Sequence, residues 1–234
     1  MAQCEVKKDK KTIAVLYNCV ILLDRSKKNM KKIVLATIPM QSVKPQHYVC
    51  DENKAIEYEN AVRFPINALL AKTLQKGDDV KVVRIITEGE FTAENVAFQK
   101  EELDGINAKI GANIEYVEVS APFKETSDVV ESRFKQIVDT FEDDCTIFAD
   151  MTYGPKTLTP VLFFALNFAE KFFEADISHI VYGKVTFNKN KEAKESTAEL
   201  FDVTPLFYLN TLTSVMSAPN SKIAIKRLGQ FLAL

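Results

Sequence analysis

Short runs of apolar, β-branched residues alternate with longer stretches whose apolar residues recur at helical spacing. This alternation constrains the chain more than any other feature. Ile33 to Thr37 is the first apolar run and reads as a buried parallel strand that ends at Pro39. Ala61 to Gln75 has helical spacing and stops at Gly77. Val80 to Thr87 is β-rich, Phe91 to Ile110 is helical and ends at Gly111, and Ile114 to Val119 alternates like a strand. Thr126 to Phe141 is the next helix, with Thr126 or Ser127 as its N-cap. Cys145 to Ala149 is a strand ending at Asp150, and Pro155 to Phe173 is a long apolar helix with Pro155 in its first turn. Ile177 to Phe187 and Leu200 to Val203 are further strands, and Thr204-Pro205 starts another helix. The repeated strand–helix order predicts an α/β fold, a Rossmann-like parallel sheet with helices on both faces and right-handed crossovers. The polar stretches 41–60, 188–197 and 217–221 read as loops or linkers.

Composition narrows the class further. The 234 residues are 47% apolar and 26% charged, which excludes wholesale disorder and suits one large domain with a small appendage. The expected division is an extension at 1–29, a main domain at 30–210 and a helical tail at 211–234. A formal net charge of -2 argues against a duplex-DNA binder. Cys4, Cys19, Cys50 and Cys145 form no CxxC pair, and His47 and His179 are the only histidines. Neither a zinc cluster nor a disulfide framework is expected, and the thiols read as reduced and cytoplasmic.

The apolar stretch Thr12 to Leu23 follows Lys7, Lys8, Lys10 and Lys11. It has about half the 20 or so apolar residues of a spanning helix, so a buried strand or hairpin is expected rather than a membrane anchor. Met30-Lys31-Lys32 also looks like the natural start of an α/β domain, which would leave 1–29 as an extension or as upstream sequence.

In open parallel sheets, ligands sit beyond the carboxyl ends of the strands. Two such ends carry candidate residues: Thr37-Ile38-Pro39-Met40-Gln41, and Asp150-Met151-Thr152-Tyr153-Gly154-Pro155-Lys156-Thr157. In the second, Thr152 and Thr157 supply hydroxyls, Gly154 permits a tight turn, and Lys156 supplies a cation. All lie at a helix start, where free N–H groups and the dipole favour an anion. A phosphate-bearing ligand is the inference, set against a plain capped turn with a solvated lysine. The segment is not a Walker A loop, because Asp150 and Pro155 stand where its glycines belong, and the chain has no GxGxxG. No cofactor is therefore expected. His47 reads as a surface residue, His179 as a structural one, and Asp150 as a strand-end acceptor before a general base. The phenylalanines at 163, 164, 168, 172 and 173 read as a core-facing stripe. No Ser-His-Asp or Cys-His arrangement can be assembled.

The strand Cys145–Ala149 running into Asp150-Met151-Thr152-Tyr153-Gly154-Pro155-Lys156-Thr157, then Tyr182-Gly183, then Asp202-Val203-Thr204-Pro205 resembles the CRISPR-associated Rossmann fold (CARF) family. The resemblance covers roughly residues 30–210. It implies a homodimer that binds a cyclic oligoadenylate, the second messenger of type III CRISPR antiviral signalling, across its two-fold axis. Cyclic tetra-adenylate is the favoured ring. By position in the motif, Thr152, Gly154, Lys156 and Thr157 would line the phosphate–ribose ring, together with Asp150, Tyr153 and Pro155. Thr37, Ile38, Pro39, Met40 and Gln41 would form the other half of the pocket, where Pro39 and Met40 depart from the glycine- or serine-rich form of relatives.

Some CARF domains also cleave the ring without metal, by attack of a ribose 2′-hydroxyl on the adjacent phosphodiester. In that case Lys156 would stabilise charge, and Thr37 and Thr152 would position the ring. The alternative is a sensor-only module that gates an effector outside this chain. A transcriptional regulator would need a helix-turn-helix, which 206–234 is too short to supply.

Overall fold

The computed structural model describes residues 31–187 and 196–233. The expectations for the Thr12–Leu23 stretch and for most of the 188–197 loop lie outside these residues. Two compact units divide the chain: Met30–Thr211, and a second of which 212–233 are described.

The first unit is a seven-stranded, mostly parallel sheet. Its strands are β1 (Lys32–Thr37), β2 (Tyr48–Val49), β3 (Asp79–Thr87), β4 (Asn113–Ala121), β5 (Thr146–Asp150), β6 (Asp176–Phe187) and β7 (Ser196–Asp202). The spatial order is β2-β7-β6-β5-β1-β3-β4. The pairs β1–β3, β3–β4, β1–β5 and β5–β6 are parallel, β6–β7 is antiparallel, and β2 runs parallel to β7 at the edge. The helices are α1 (Pro65–Thr73), α2 (Thr92–Ile110), α3 (Ser127–Val138), α4 (Leu158–Phe172) and α5 (Thr204–Val215).

Alternation along the strands sends side chains to two separate cores. Val34 and Ala36 of β1, Val80 and Val82 of β3 and Phe148 of β5 pack with Ile66, Leu69 and Leu70 of α1 and Leu103 of α2. Ile33, Leu35, Val83, Ile85, Ile147 and Ala149 point the other way, against Ile137 of α3, Leu162 and Leu166 of α4, and Phe207 of α5. Helices therefore cover both faces, which is why the central strands read as continuous apolar runs rather than strict alternations.

Local chemistry sets the element ends. Gly111 closes α2 at φ 84°, a left-handed value that suits glycine. Pro65 opens α1, and the residues just before it cannot continue the helix backwards, so the expected start at Ala61 moves to Pro65. The carboxylate of Glu102 on α2 accepts from the amides of Arg63 at 2.7 Å and Phe64 at 3.3 Å, two donors at the helix start. Burial pushes this carboxyl up. Pro155 is not helical. It lies in the turn before α4, where its carbonyl accepts from Leu158 N at 2.9 Å.

Two further expectations need correction. The 41–60 stretch is not wholly irregular: Tyr48–Val49 pairs with β7 as β2, and Lys54–Ile56 forms a 3-10 turn. The phenylalanines of α4 are not its core face. That face consists of Leu158, Val161, Leu162, Ala165, Leu166 and Ala169, while Phe164 and Phe172 are 65% and 58% exposed. The smaller side chains let α4 sit close to the sheet, and the rings fall on its flank and outer side.

In the second unit, α6 (Ser221–Leu232) is capped by Asn220, whose side-chain oxygen accepts from Ile223 N at 3.0 Å.

Candidate functional site

From β1 the sheet extends through β3 and β4 on one side and through β5 and β6 on the other. The order therefore reverses between β1 and β5, the position where open parallel sheets leave a crevice at their carboxyl ends. Thr37 ends β1 and Asp150 ends β5.

These two residues are joined. The Thr37 hydroxyl donates to Asp150 Oδ2 at 3.1 Å and accepts from the amide of Tyr153 at 3.1 Å. Asp150 Oδ1 accepts from the amide of Thr152 at 2.8 Å and also from the Thr152 hydroxyl. That hydroxyl in turn accepts from Gly183 N on β6 at 2.8 Å. One carboxylate thus fastens the ends of β1 and β5 and, through Thr152, reaches β6. Thr37 and Asp150 are fully buried. Among the described residues no cation offsets Asp150, and burial raises its carboxyl to about 6, against the hydrogen bonds from Thr152 and Thr37 that pull it down.

Gly154 turns the chain at φ 104°. Tyr153 then packs inward, its hydroxyl donating to the carbonyl of Arg63 at 3.0 Å. Tyr48 of β2 lies against it, and desolvation pushes the Tyr48 phenol up to about 12.

The 39–47 segment crosses the crevice. It leaves β1 near the middle of the sheet and must deliver Tyr48 to the far edge beyond β7. That is four strand spacings, about 19 Å. It therefore passes over the carboxyl ends of β5 and β6. Asn95 of α2 holds its start, with Nδ2 donating to the carbonyls of Pro39 and Gln41, each at 2.9 Å. Gln46 and Val62 exchange two backbone hydrogen bonds of 2.9 Å and hold its end.

Beneath this segment lies a cavity of about 870 Å³, within the range of small-molecule sites. Its wall is Pro39 through Gln46, Tyr48, Thr152, Tyr153, Gly154 and Val185. Of the residues expected to touch a ligand, Pro39, Met40, Gln41, Thr152, Tyr153 and Gly154 line it. Thr37, Ile38, Asp150, Pro155, Lys156 and Thr157 do not. Lys156 is exposed and Thr157 half-buried outside the wall. The amide of Thr157 donates to the Glu125 carboxylate at 3.3 Å, so one helix-start donor already has an anion.

Sequence reasoning missed Ser42, Val43, Lys44, Pro45, Gln46, Tyr48 and Val185. Only Tyr48-Val49-Cys50, a β-prone triplet inside a polar stretch, hinted at a strand there.

His47 is exposed and His179 half-buried. The His179 ring stacks on Phe148 with centroids 6.0 Å apart. Cys50 and Cys145 are buried, which pushes both thiols up. Among the described residues no group of three His, Cys, Asp or Glu could hold a metal ion, and no helix is long and apolar enough to cross a membrane.

The fold and site define a Rossmann-like α/β protein with a cavity at its topological switch point. No protein-family model matches the chain, and no curated protein matches it.

Proposed function

We propose that this chain is a CARF-type sensor that binds a cyclic oligoadenylate across a homodimer, in type III CRISPR antiviral signalling. The observation that carries the reading is the cavity at the β1–β5 switch point, because its wall draws on both loops that the resemblance implicates. The wall holds Gln41, Ser42, Gly154 and a lysine, Lys44, beside a largely apolar surface, a combination suited to a ligand with both rings and phosphates. A two-fold ligand also suits an isologous pair of identical pockets.

Binding is favoured over cleavage. The hydroxyls of Thr37 and Thr152 are already engaged by Asp150, Tyr153 N and Gly183 N, so their work is to hold the turn. A metal-independent ring nuclease would rely on positioning by the turn and on Lys156 for charge. The sensor-only reading, with an effector outside this chain, draws support from the same occupied hydroxyls.

Incubation with labelled cyclic tetra- and hexa-adenylate, without metal, tests both readings. Binding with the ring intact supports the sensor. Linear products that disappear in Lys156→Ala support the ring nuclease. Binding of neither ring rejects both.

A further inference from the structure

The motif at the start of α4 draws attention to Lys156, but a different lysine lines the cavity. Among the described residues, Lys44 is the only charged residue in the wall. It sits between the two anchors of the 39–47 segment, the Asn95 clamp on one side and the Gln46–Val62 pair on the other, so its backbone position is set by the fold. It is exposed, and no ion pair joins it to any described residue. Around it the wall is mainly apolar: Pro39, Met40, Val43, Tyr48, Tyr153 and Val185.

A lone ammonium beside low-polarity walls is poorly screened once a ligand displaces water, so a phosphate placed there gains more than at an open surface. Lys156 is also exposed, but it lies outside the wall. The apolar residues offer no carboxylate to repel the ligand. They offer adaptable surface to a heterocycle, the half-buried Tyr153 and the thioether of Met40 in particular.

We infer that Lys44 is the cation that meets a ligand phosphate in this cavity, while a purine base lies against the wall of Met40, Val43 and Tyr153. This rests on the nucleotide reading above and assigns its main charge contact to the segment after β1 rather than to the start of α4.

The test is calorimetric titration of the full chain with whichever of cyclic tetra- or hexa-adenylate it binds. The Lys44→Ala, Lys44→Arg and Lys156→Ala variants are compared at two salt concentrations, with melting temperature as a folding control. The expected result has three parts. Lys44→Ala binds at least tenfold more weakly with an unchanged melting temperature. Lys44→Arg stays within threefold of the parent, and Lys156→Ala weakens binding less than Lys44→Ala does. Added salt weakens the parent more than Lys44→Ala. If the parent binds and Lys44→Ala stays within threefold of it, the assignment is overturned and the nucleotide reading stands. If the parent binds neither ring, the nucleotide reading fails and the assignment falls with it.

Discussion

The hydroxyl of Thr37 donates to the carboxylate of Asp150 at 3.1 Å, across 113 residues of chain, and so ties together the carboxyl ends of two neighbouring parallel strands. The bond lies at the point where the sheet reverses its order. The same two residues hold the turn beside the cavity: Asp150 accepts from the amide of Thr152, Thr37 accepts from the amide of Tyr153, and the Thr152 hydroxyl accepts from the amide of Gly183.

Asp150 makes stability depend on pH in an unusual direction. Its carboxyl is raised to about 6 in the folded protein and titrates near 3.9 when unfolded. Between these values the folded state holds the extra proton. The contribution is therefore fully present below about pH 4 and is lost as pH rises to about 6. Relative to Asp150→Asn, the parent should lose on the order of 3 kcal/mol across that window. Urea unfolding of both proteins from pH 4 to 7 measures it, and parallel curves would sink the idea.

Thr37→Val keeps the side-chain shape and deletes the hydroxyl. Tyr153 N then has no acceptor and Asp150 loses a donor, both in a buried site. The cost should be about 1–3 kcal/mol. Thr37→Ser retains the hydroxyl and should lose less. Denaturation midpoints order the three proteins, and a Val variant as stable as the Ser variant contradicts the network.

Two glycines stand where a methyl group does not fit. At Gly183 an added Cβ would come within 2.3 Å of Pro65 Cγ and 3.1 Å of Tyr48 Cε1, neither of which yields easily. At Gly154 it would meet Leu158 Cδ2 at 2.6 Å, with backbone strain at φ 104° besides. Each alanine variant should cost about 1–3 kcal/mol. For Gly183→Ala the strain comes from contact alone. Thermal unfolding checks both, and an unchanged melting temperature for Gly183→Ala refutes the close packing of β6 on α1.

Arg133 on α3 is 3% exposed. Among the described residues it donates only to the carbonyl of Ala121, at 3.5 Å, and its Nε has no partner. Desolvation alone lowers its basicity, with no carboxylate acting against it. Arg133→Met keeps the apolar stem and removes the buried charge, so it should raise stability by about 1–2 kcal/mol. The urea midpoint should move up with its slope unchanged; a downward shift shows that the guanidinium is stabilising where it lies.

The sheet was legible because strand and helix periods are local properties of the chain. The runs at Ile33, Val82, Ile147 and Ile177 announced buried strands, and Gly111 marked the end of α2. The strand ends at Thr37 and Asp150 followed from their positions in that order. Other parts carried no local signature. A two-residue strand such as Tyr48–Val49 has no period to read, so the segment that roofs the cavity looked like a plain loop. The exposed Phe164 and Phe172 sit at helical spacing among residues that do face the core, and spacing alone does not say which side of α4 meets the sheet.

By itself the amino-acid order determined an α/β architecture and named the two strand ends where a site belongs, because burial patterns and turn residues act over a few neighbouring positions. Only the tertiary structure decided that Thr37 and Asp150 close on each other instead of opening to a ligand, and that Lys44 rather than Lys156 borders the cavity. Those outcomes depend on which distant segments share a sheet edge, and β2 pairs with β7, where Tyr48 lies opposite Ala198.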